Sequence, residues 1–530
     1  MSGLEHLFEK LIRYSENDVY PYHMPGHKRK PFGMLPGELS RIDITETDGF
    51  DNLHQPEGIL DSLQREAARL YGAEESFYLV NGSTCGILSA VSCALHEGEH
   101  ILMARNCHRS AYHAVYLRGL RATYLYPPYL KEYDIYDALE PEEIRRALER
   151  EPDIGAVLVV SPTYEGRISD IRAIADIVHE RGIPLIVDEA HGAHLGLAGG
   201  FPKNSCQLGA DLVIHSVHKT LPALTQTALL HVNGGRIDRG LIRRFLRIYQ
   251  SSSPSYLLMA GIDNALCYVG LQGQEVFGVL RQRFGAMLDR LRGCRHLRFL
   301  AADRDRQDVG KLLISTKQSG LTGKQLYDIL LRRYHLQPEM ASTSFVLAMF
   351  TVNDGEEAYR RMTEALLAID ESLEGGMDDM PEGRAEGGAA PETPEGLRGS
   401  GPHRPGSGEG AGALCGENAW GSAGHGRNQG TGRSGAIPLA KAWDMPTEQI
   451  ALEESEGRYI GEFINLYPPG VPLLVPGERM TGELIGKISE AEEQGLEVQG
   501  VGRRKGAGGF LPELYVPAIL EEIQGILEHI

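Results

Sequence analysis

The residues with the clearest chemical potential are a carboxylate and a lysine, each placed directly after an apolar run. Asp188 follows Pro184–Val187, and the segment Ser216–Lys219 (S-V-H-K) comes soon after Asp211–Ile214. Short apolar runs bounded by Gly or Pro are typical of buried parallel strands, and open α/β sheets bind ligands at the carboxyl ends of such strands. An acid that keeps a pyridinium nitrogen protonated and a lysine that forms a Schiff base are the two groups that pyridoxal phosphate (PLP) requires.

A phosphate-binding turn is predicted after another apolar run, Phe77–Val80. The segment Asn81–Gly86 contains two glycines and the hydroxyl groups of Ser83 and Thr84, and an apolar, helix-like run, Ile87–Leu95, continues from it. Free N–H groups and the positive end of the helix dipole make such a helix start suitable for phosphate. Taken alone, the pattern is more typical of an ordinary helix N-cap, and a lone Ser-x-His-Lys is seldom a Schiff-base site.

Two further strand ends add residues to the same predicted edge. His108 follows the strand-like run Ile101–Met103 and is placed to stack on a pyridine ring, although a lone histidine there is more often a surface or capping residue. Thr163 lies in a Pro-containing turn after Ala156–Val160. Because five such motifs occur in one order and face one edge of the predicted sheet, we interpret them as a single site.

Together these motifs resemble the Orn/Lys/Arg decarboxylases, a PLP-dependent family with the aspartate-aminotransferase-like fold. The resemblance is closest to the compact bacterial branch with arginine and lysine decarboxylases, and it covers residues 4–370 and 440–525. The segments that carry it are Tyr22–Lys28 (Y-H-M-P-G-H-K), Asp51–His54, Pro56–Ile59, Asp188–Gly192, Ser216–Lys219, Ser252–Tyr256, Tyr467–Pro472 and Pro476–Glu478.

The resemblance implies a role for each candidate site residue. Lys219 would form the Schiff base, Asp188 would pair with the ring nitrogen, and His108 would stack on the ring. His191 stands where some larger relatives have tryptophan, and it would contact the cofactor or titrate. Thr163 would lie near the phenolic side of the ring. The phosphate group would be held by Ser83, Thr84, the amide of Cys85, Ser216 and His218.

The reaction implied by the resemblance is α-decarboxylation of arginine, lysine or ornithine to the corresponding amine and CO2, as in polyamine metabolism. Lys219, His218 and His191 are alternative donors of the proton that replaces the carboxylate. Two rival functions stay open: another PLP enzyme of this fold, such as an aminotransferase or an aldolase-type lyase, or a non-catalytic regulatory homologue. An aminotransferase is expected to have an arginine that clamps the substrate carboxylate, and a degenerate homologue usually loses the lysine or the acid.

Residues that would read the substrate side chain are less well defined by the sequence. Glu339 and Glu478 are candidates, although each is predicted to be an exposed turn carboxylate. His23 and His27 either help to complete an active site, that of a partner subunit included, or only structure the turn around Pro25.

Composition excludes several classes of function. The net charge of −19 over 530 residues argues against a nucleic-acid-binding surface. The absence of a long apolar run and of a signal-peptide layout predicts a cytoplasmic protein that does not associate with membranes, and seven cysteines without a C-x-x-C pair suit a reducing compartment. No metal is expected. Since the implied fold builds its cofactor site at a subunit interface, we expect a homodimer or larger homo-oligomer.

The predicted fold class is α/β, with the aspartate-aminotransferase-like fold: a mostly parallel central sheet, a smaller α+β domain and a C-terminal domain. Helical periodicity predicts helices over Glu448–Phe463 and Met480–Glu493, and Lys311–Ser315 and Val346–Phe350 are predicted strands. The predicted divisions are an N-terminal arm (1–40), a PLP-binding large domain (41–265), a small α+β domain (266–373), a disordered Gly/Pro/Ser-rich linker (374–436) and a C-terminal domain (437–530).

Overall fold

The computed structural model describes residues 4–16, 25, 27–30, 37–300, 306–375, 437–466, 470–505, 512–521 and 523. Nearly all of the predicted linker, His23 and Tyr467–Pro469 therefore lie outside the described residues. The helices are α1 (Leu7–Glu16), α2 (Gly37–Ile42), α3 (Ile59–Tyr71), α4 (Gly82–Ala94), α5 (Arg109–Leu117), α6 (Pro141–Arg150), α7 (Ile171–Glu180), α8 (Val217–Thr220), α9 (Arg239–Tyr249), α10 (Tyr256–Leu291), α11 (Gly323–Tyr334), α12 (Glu356–Gly375), α13 (Leu439–Ala442) and α14 (Gly482–Glu493).

The strands belong to several separate sheets. In chain order they are β1 (Glu75–Leu79), β2 (His100–Ala104), β3 (Arg121–Leu125), β4 (Tyr129–Leu130), β5 (Ile135–Tyr136), β6 (Ile154–Val160), β7 (Leu185–Asp188), β8 (Leu212–Ser216), β9 (Ala228–Val232), β10 (Arg298–Phe299), β11 (Lys311–Ser315), β12 (Met340–Ala341), β13 (Phe345–Met349), β14 (Thr447–Ala451), β15 (Ile464–Leu466), β16 (Pro472–Leu474), β17 (Val498–Gln499), β18 (Gly502–Lys505) and β19 (Pro512–Ile519).

A seven-stranded sheet in the order β1-β9-β8-β7-β6-β2-β3 forms the centre of the large domain. Its strands from β8 to β3 run parallel, and β9 is antiparallel to both of its neighbours, so β1 points the same way as β8. Every residue of β2, β7, β8 and β9 is buried, as expected for strands covered by helices on both faces. The predicted mostly parallel α/β fold is confirmed, and the carboxyl ends of β1, β2, β6, β7 and β8 meet at one edge.

The small domain is a four-stranded antiparallel sheet, β10-β11-β13-β12, packed against α11 and α12. The predicted strands Lys311–Ser315 and Val346–Phe350 correspond to β11 and, one residue out of register at each end, to β13. The 36-residue helix α10 runs through position 265, where the sequence placed the end of the large domain. No break in secondary structure marks that boundary.

The predicted helix over Glu448–Phe463 is wrong. This segment begins as strand β14, which pairs antiparallel with β19, and a short 3-10 turn follows at Leu452–Glu454. The partner strand lies more than 60 residues further along the chain, so a tertiary pairing overrides the local helical pattern. The other predicted helix, Met480–Glu493, is confirmed as α14 and is capped by the Thr481 hydroxyl, which accepts from the Leu484 amide at 3.3 Å. Within the described part of the chain, no helix combines the length and the apolar character that crossing a bilayer requires.

Candidate active site

Lys219 and Asp188 lie at the carboxyl ends of neighbouring strands. Asp188 is the last residue of β7, and Lys219 sits in the short helix α8, immediately after β8. Burial raises the pKa of Asp188, and the nearby Lys219 ammonium partly opposes that shift. Burial also lowers the pKa of Lys219, against the opposing charges of Asp188 and Glu339. A desolvated lysine of this kind is more readily deprotonated, which suits a nucleophilic amine.

The carboxylate of Asp188 has spare capacity to accept hydrogen bonds. Among the described residues, its one hydrogen-bond donor is the amide of Ala190, at 3.2 Å. The side chain is only 5% exposed, and a buried carboxylate with so few donors is costly unless another group satisfies it. A protonated ring nitrogen is such a group, so Asp188 fits the role predicted for it.

The start of α4 has no side-chain cap. Its N-cap residue, Asn81, does not cap the helix, because its side-chain oxygen accepts instead from the amide of Ser251 at 3.2 Å. The N–H groups of the first turn, which include those of Gly82, Ser83 and Thr84, have no acceptor within the helix. No acidic residue lies in that turn. An uncapped helix start of this kind suits the phosphate of PLP.

Hydroxyl groups from two elements meet at this helix start. Ser216, at the end of β8, donates its hydroxyl proton to Oγ of Ser83 at 2.8 Å, and Thr84 is exposed beside it. Cys85 is buried, and its thiol donates to the carbonyl of Gly82 at 3.0 Å. Four of the five predicted phosphate ligands, all except His218, thus lie together at this helix start. The Cys85 amide differs from the amides before it, because it is the first in α4 that has an acceptor carbonyl within the helix.

Two histidines near Lys219 are held as neutral rings. Burial, together with the Lys219 charge, lowers the pKa of His108 to about 3, and its Nδ1 accepts from the amide and hydroxyl of Ser110 at 3.2 and 2.9 Å. His108 is the N-cap of α5 and so combines the capping role with its place at the strand end. Burial lowers the pKa of His218, whose Nδ1–H donates to the carbonyl of Thr227 at 2.8 Å.

Thr163 is buried in the turn after β6, and its hydroxyl accepts from the amide of Arg167 at 3.2 Å. The hydroxyl therefore holds the turn together, and its contact with the cofactor stays a prediction. His27 is also engaged locally: its Nε2 lies 3.2 Å from Oδ2 of Asp43, and its Nδ1 accepts from the amide of Arg29 at 3.1 Å. These contacts favour the turn-structure alternative for His27.

The side chain of His191 contacts that of Lys219 directly. Its Nε2 lies 3.0 Å from Nζ of Lys219, and its Nδ1 lies 2.8 Å from Nζ of a second lysine, Lys311. The Tyr164 ring packs against the imidazole in a T-shaped arrangement, with centroids 4.7 Å apart. Sequence reasoning missed Lys311 as a site residue. The signal was present, since a lysine that opens a short, mostly apolar strand is unusual.

The two acids proposed to read the substrate differ in position. The expectation that Glu478 is exposed is wrong: it is 5% exposed and pairs with Arg105, with Nη2 and Oε2 2.9 Å apart. The cause is the docking of the C-terminal segment onto β2 and α5, which covers this carboxylate. Glu339 is exposed, as predicted, and accepts a hydrogen bond from the Tyr164 hydroxyl. Its charge opposes the lowering of the pKa of both Lys219 and Lys311 by burial, which places it beside the site.

The comparisons with known proteins agree with this geometry. Residues 5–304 match the family model described as Orn/Lys/Arg decarboxylase, major domain, and residues 439–500 match the C-terminal domain of the same family. The chain is 32% identical to the uncharacterized protein YaaO of Bacillus subtilis and 29% identical to the arginine decarboxylase of that organism, each over 93% of this chain and 95% of the relative.

Among solved structures, the chain is similar to the Francisella novicida lysine decarboxylase LdcF, with a TM-score of 0.77, 16% identity and coverage of 98% of this chain and 82% of that one. It is also similar to the constitutive lysine decarboxylase of E. coli, with a TM-score of 0.74, 18% identity and coverage of 97% and 82%. At such identities the likeness shows the fold. With a family model that matches more than half of its length, this chain belongs to the Orn/Lys/Arg decarboxylase family.

Proposed function

We propose that this chain decarboxylates arginine with PLP as cofactor, releasing CO2 and leaving the corresponding amine. The observation that carries the proposal is the pairing of Lys219 with Asp188, a desolvated amine and an undersatisfied carboxylate, close to an uncapped helix start. Family membership supports decarboxylation of a basic amino acid. The choice of arginine rests on relatives that match nearly the whole chain and are named arginine decarboxylases.

The residues that would hold PLP surround Lys219. Ser83, Ser216 and the free amides of α4 would bind the phosphate, and Asp188 would accept the ring N–H and keep that proton in place. His108, kept neutral by burial, would present its ring without placing a second positive charge beside Lys219. When bound, PLP supplies an electron sink that stabilises the negative charge left at Cα when CO2 departs.

The surroundings of Lys219 favour a cationic substrate. The charged acids that act on the lysine are Asp188, buried at the strand end, and Glu339, exposed and hydrogen-bonded by Tyr164. We assign Glu339 to the guanidinium of the substrate, since a planar cation with several donors matches an exposed carboxylate. Because Asp188 would be engaged by the ring nitrogen, Glu339 is the acid acting on Lys219 that is left for the substrate side chain, and it is exposed.

A proton must reach Cα after CO2 leaves. Of the three alternative donors, His218 has its Nδ1–H engaged with the Thr227 carbonyl. Lys219 and His191 contact each other at 3.0 Å and can exchange a proton directly. We therefore assign protonation to the Lys219–His191 pair.

A substrate panel tests this function. Purified protein with added PLP is incubated with arginine, lysine and ornithine separately, and agmatine, cadaverine and putrescine are quantified. Agmatine should form fastest with the wild type, should be absent with Lys219→Ala, and should persist in Lys203→Ala, an exposed lysine outside the site. Faster release from lysine or ornithine would overturn the choice of arginine, and amine release from none of the three would overturn the decarboxylase assignment.

We further infer that the enzyme acts in the cytoplasm, within polyamine metabolism, as a homodimer or larger homo-oligomer. Family membership supports an assembly, and the motif Ser252–Tyr256 at the start of α10 resembles the segment that lies at the family's subunit interface. Sedimentation of the active protein tests the assembly. Activity that sediments as a 58.2 kDa monomer would contradict it.

A further inference from the structure

The imidazole of His191 connects two lysine side chains that reach it from different domains. Lys219 approaches Nε2 from the strand-end helix α8 at 3.0 Å, and Lys311 approaches Nδ1 from strand β11 of the small domain at 2.8 Å. His191 is 6% exposed, and burial together with the charges of both lysines lowers its pKa well below the ordinary value. The ring is therefore neutral, with one N–H and one lone pair.

A neutral ring limits how the two amines can be protonated. If Lys311 is an ammonium, it donates to Nδ1, so the ring proton is on Nε2 and is donated to a neutral Lys219 amine. If Lys219 is the ammonium, it donates to Nε2, so the ring proton is on Nδ1 and is donated to a neutral Lys311 amine. With two ammonium groups, both ring nitrogens would have to accept, which a neutral imidazole cannot do. Complete hydrogen bonding around a neutral imidazole therefore allows at most one charged lysine.

Lys311 is built into the structure at this position. It opens β11 and is 1% exposed, its ammonium lies 5.4 Å from the centre of the Tyr164 ring, and its Nζ is 3.4 Å from Sδ of Met349. Gly166 makes room for it: with φ of +97°, an added Cβ would stand 2.8 Å from Cγ of Lys311. A larger residue at position 166 would therefore have to displace Lys311 or Gln307.

Acidic groups from several surrounding elements face the two lysines and oppose the effect of burial on their pKa values. Burial lowers the pKa of Lys311 to about 8, the Lys219 charge acts in the same direction, and Asp308, Glu339 and Glu165 oppose the shift. Lys219 faces Asp188 and Glu339, which oppose the lowering by burial. His108 and His218, which also lie near the pair, have pKa values lowered by burial. Lys311 therefore gives up its proton near pH 8, and burial lowers the pKa of Lys219 in the same direction.

We propose that Lys311 is a positioning residue that acts through His191: the two lysines share one proton across the imidazole, and Lys311 takes it when Lys219 must be a free amine. The step moves protons only. Lys219 gives its proton to Nε2 of His191, Nδ1 of His191 gives its proton to the amine of Lys311, and the total charge is unchanged. A neighbouring cation is an established means of keeping a lysine amine nucleophilic.

This inference concerns the same site as the proposed function, but its test does not need decarboxylation. The full-length protein, freed of PLP, is methylated with formaldehyde and cyanoborohydride at a series of pH values, and the methylation rate of each lysine is read by peptide mass spectrometry. Since only the free amine reacts, the rate reports deprotonation. Two interacting amines titrate as a pair, so the Lys219 curve should show two steps in the wild type.

Three variants sharpen the test. In Lys311→Met the competing cation is gone, so the pKa of Lys219 should rise, and a rise of one unit makes its methylation about tenfold slower below the midpoint. In Lys311→Arg a permanent cation donates to Nδ1, so the rate should equal or exceed that of the wild type. The control Lys203→Met removes an exposed lysine and should leave the Lys219 curve unchanged.

An unchanged Lys219 curve in Lys311→Met would overturn the proposal and leave Lys311 a packing residue. A slowing of the same size in Lys311→Arg would also overturn it, since a lost fit and not a lost charge would then explain both variants. Should Lys311→Met fail to fold, the wild-type curve decides. A single step at the ordinary lysine value would contradict sharing, and two steps would support it.

Discussion

The buried pair of Arg105 and Glu478 should control both the docking of the C-terminal segment and the position of His108. Arg105 donates to Oε1 and Oε2 of Glu478 at 3.3 and 2.9 Å. Its guanidinium also donates to the carbonyls of Pro472 and Leu473 at 2.8 and 3.1 Å and to the Tyr112 hydroxyl at 3.0 Å. Arg105 lies three residues before His108, so its contacts join the carboxyl end of β2 to strand β16 and to Glu478.

The size of the effect follows from the desolvation of both charges. Side-chain exposure is 8% for Arg105 and 6% for Glu478, so removing either partner leaves the other buried and unpaired. Such a loss costs about 3–5 kcal/mol of unfolding free energy. The cost of Arg105→Met in unfolding free energy should fall within this range. The cost of Glu478→Gln should lie near its lower end, because the Arg105 guanidinium keeps three neutral acceptors. In the double variant no charge is left unpaired, so its cost should be smaller than the sum of the single costs by about 2 kcal/mol or more.

Denaturant unfolding of the four proteins measures this coupling, and fluorescence titration with PLP measures the consequence for the site. The amide of Arg109, next to His108, donates to the carbonyl of Gly470 at 3.2 Å, so an undocked C-terminal segment should loosen the histidine and weaken PLP binding. The exposed pair of Arg360 and Glu357 provides a matched control, whose loss should cost at most about 1 kcal/mol.

Additive costs in the Arg105 and Glu478 variants would refute the reasoning, since independent sites do not share a desolvated charge. Single costs as small as those of the surface pair would refute it as well. A destabilised single variant with unchanged PLP affinity would support the contribution of the ion pair to stability but contradict the proposed link to His108.

Three other perturbations have expected outcomes. Asp188→Asn should retain the fold and lower kcat on the order of a hundredfold, as measured by amine release, because a neutral amide no longer holds the ring proton. Burial lowers the pKa of His215 to about 3, so the unfolded chain takes up its proton first as the pH falls below about 6.5, and this contribution to stability is lost towards pH 3. Melting temperatures of the PLP-free protein should therefore fall more steeply in acid than those of His215→Gln. Burial raises the pKa of Glu189 to about 8, so protonation of this acid in the folded state stabilises the protein as the pH falls to about 4.5. Below pH 4.5 this opposing effect is complete, and the effect of His215 should be clearest there. Gly166→Ala should destabilise the protein by roughly 1–3 kcal/mol and shift the methylation curve of Lys219, because the new methyl group displaces Lys311.

Local patterns were sufficient for the centre of the fold. Strands β6, β7 and β8 are short apolar runs whose ends carry Thr163, Asp188 and Ser216, and parallel strands place their carboxyl ends at one edge whatever the rest of the chain does. The phosphate-binding start of α4 follows from a Gly- and hydroxyl-rich turn before an apolar helix. Each of these patterns lies within ten residues of the site residue that it predicts, so a single sequence is sufficient to detect it.

Features that depend on distant contacts were not predictable in this way. Lys311 reaches His191 across 120 positions of sequence, and Glu478 reaches Arg105 across 373. Strand β14 exists because β19 pairs with it, although its own residues have a helical pattern. In each case a partner distant in the sequence decides the role of the residue, and a local pattern contains no information about that partner.

Decarboxylation of arginine with carbon-13 in its carboxyl group, carried out in D2O with PLP, tests the central claim most directly. The account predicts that all of the label leaves as CO2, that the amine product gains one deuterium at the former Cα, and that Lys219→Ala yields neither product. Retention of the label in a keto acid, formed when a second keto acid is added, would contradict the account and make the enzyme an aminotransferase.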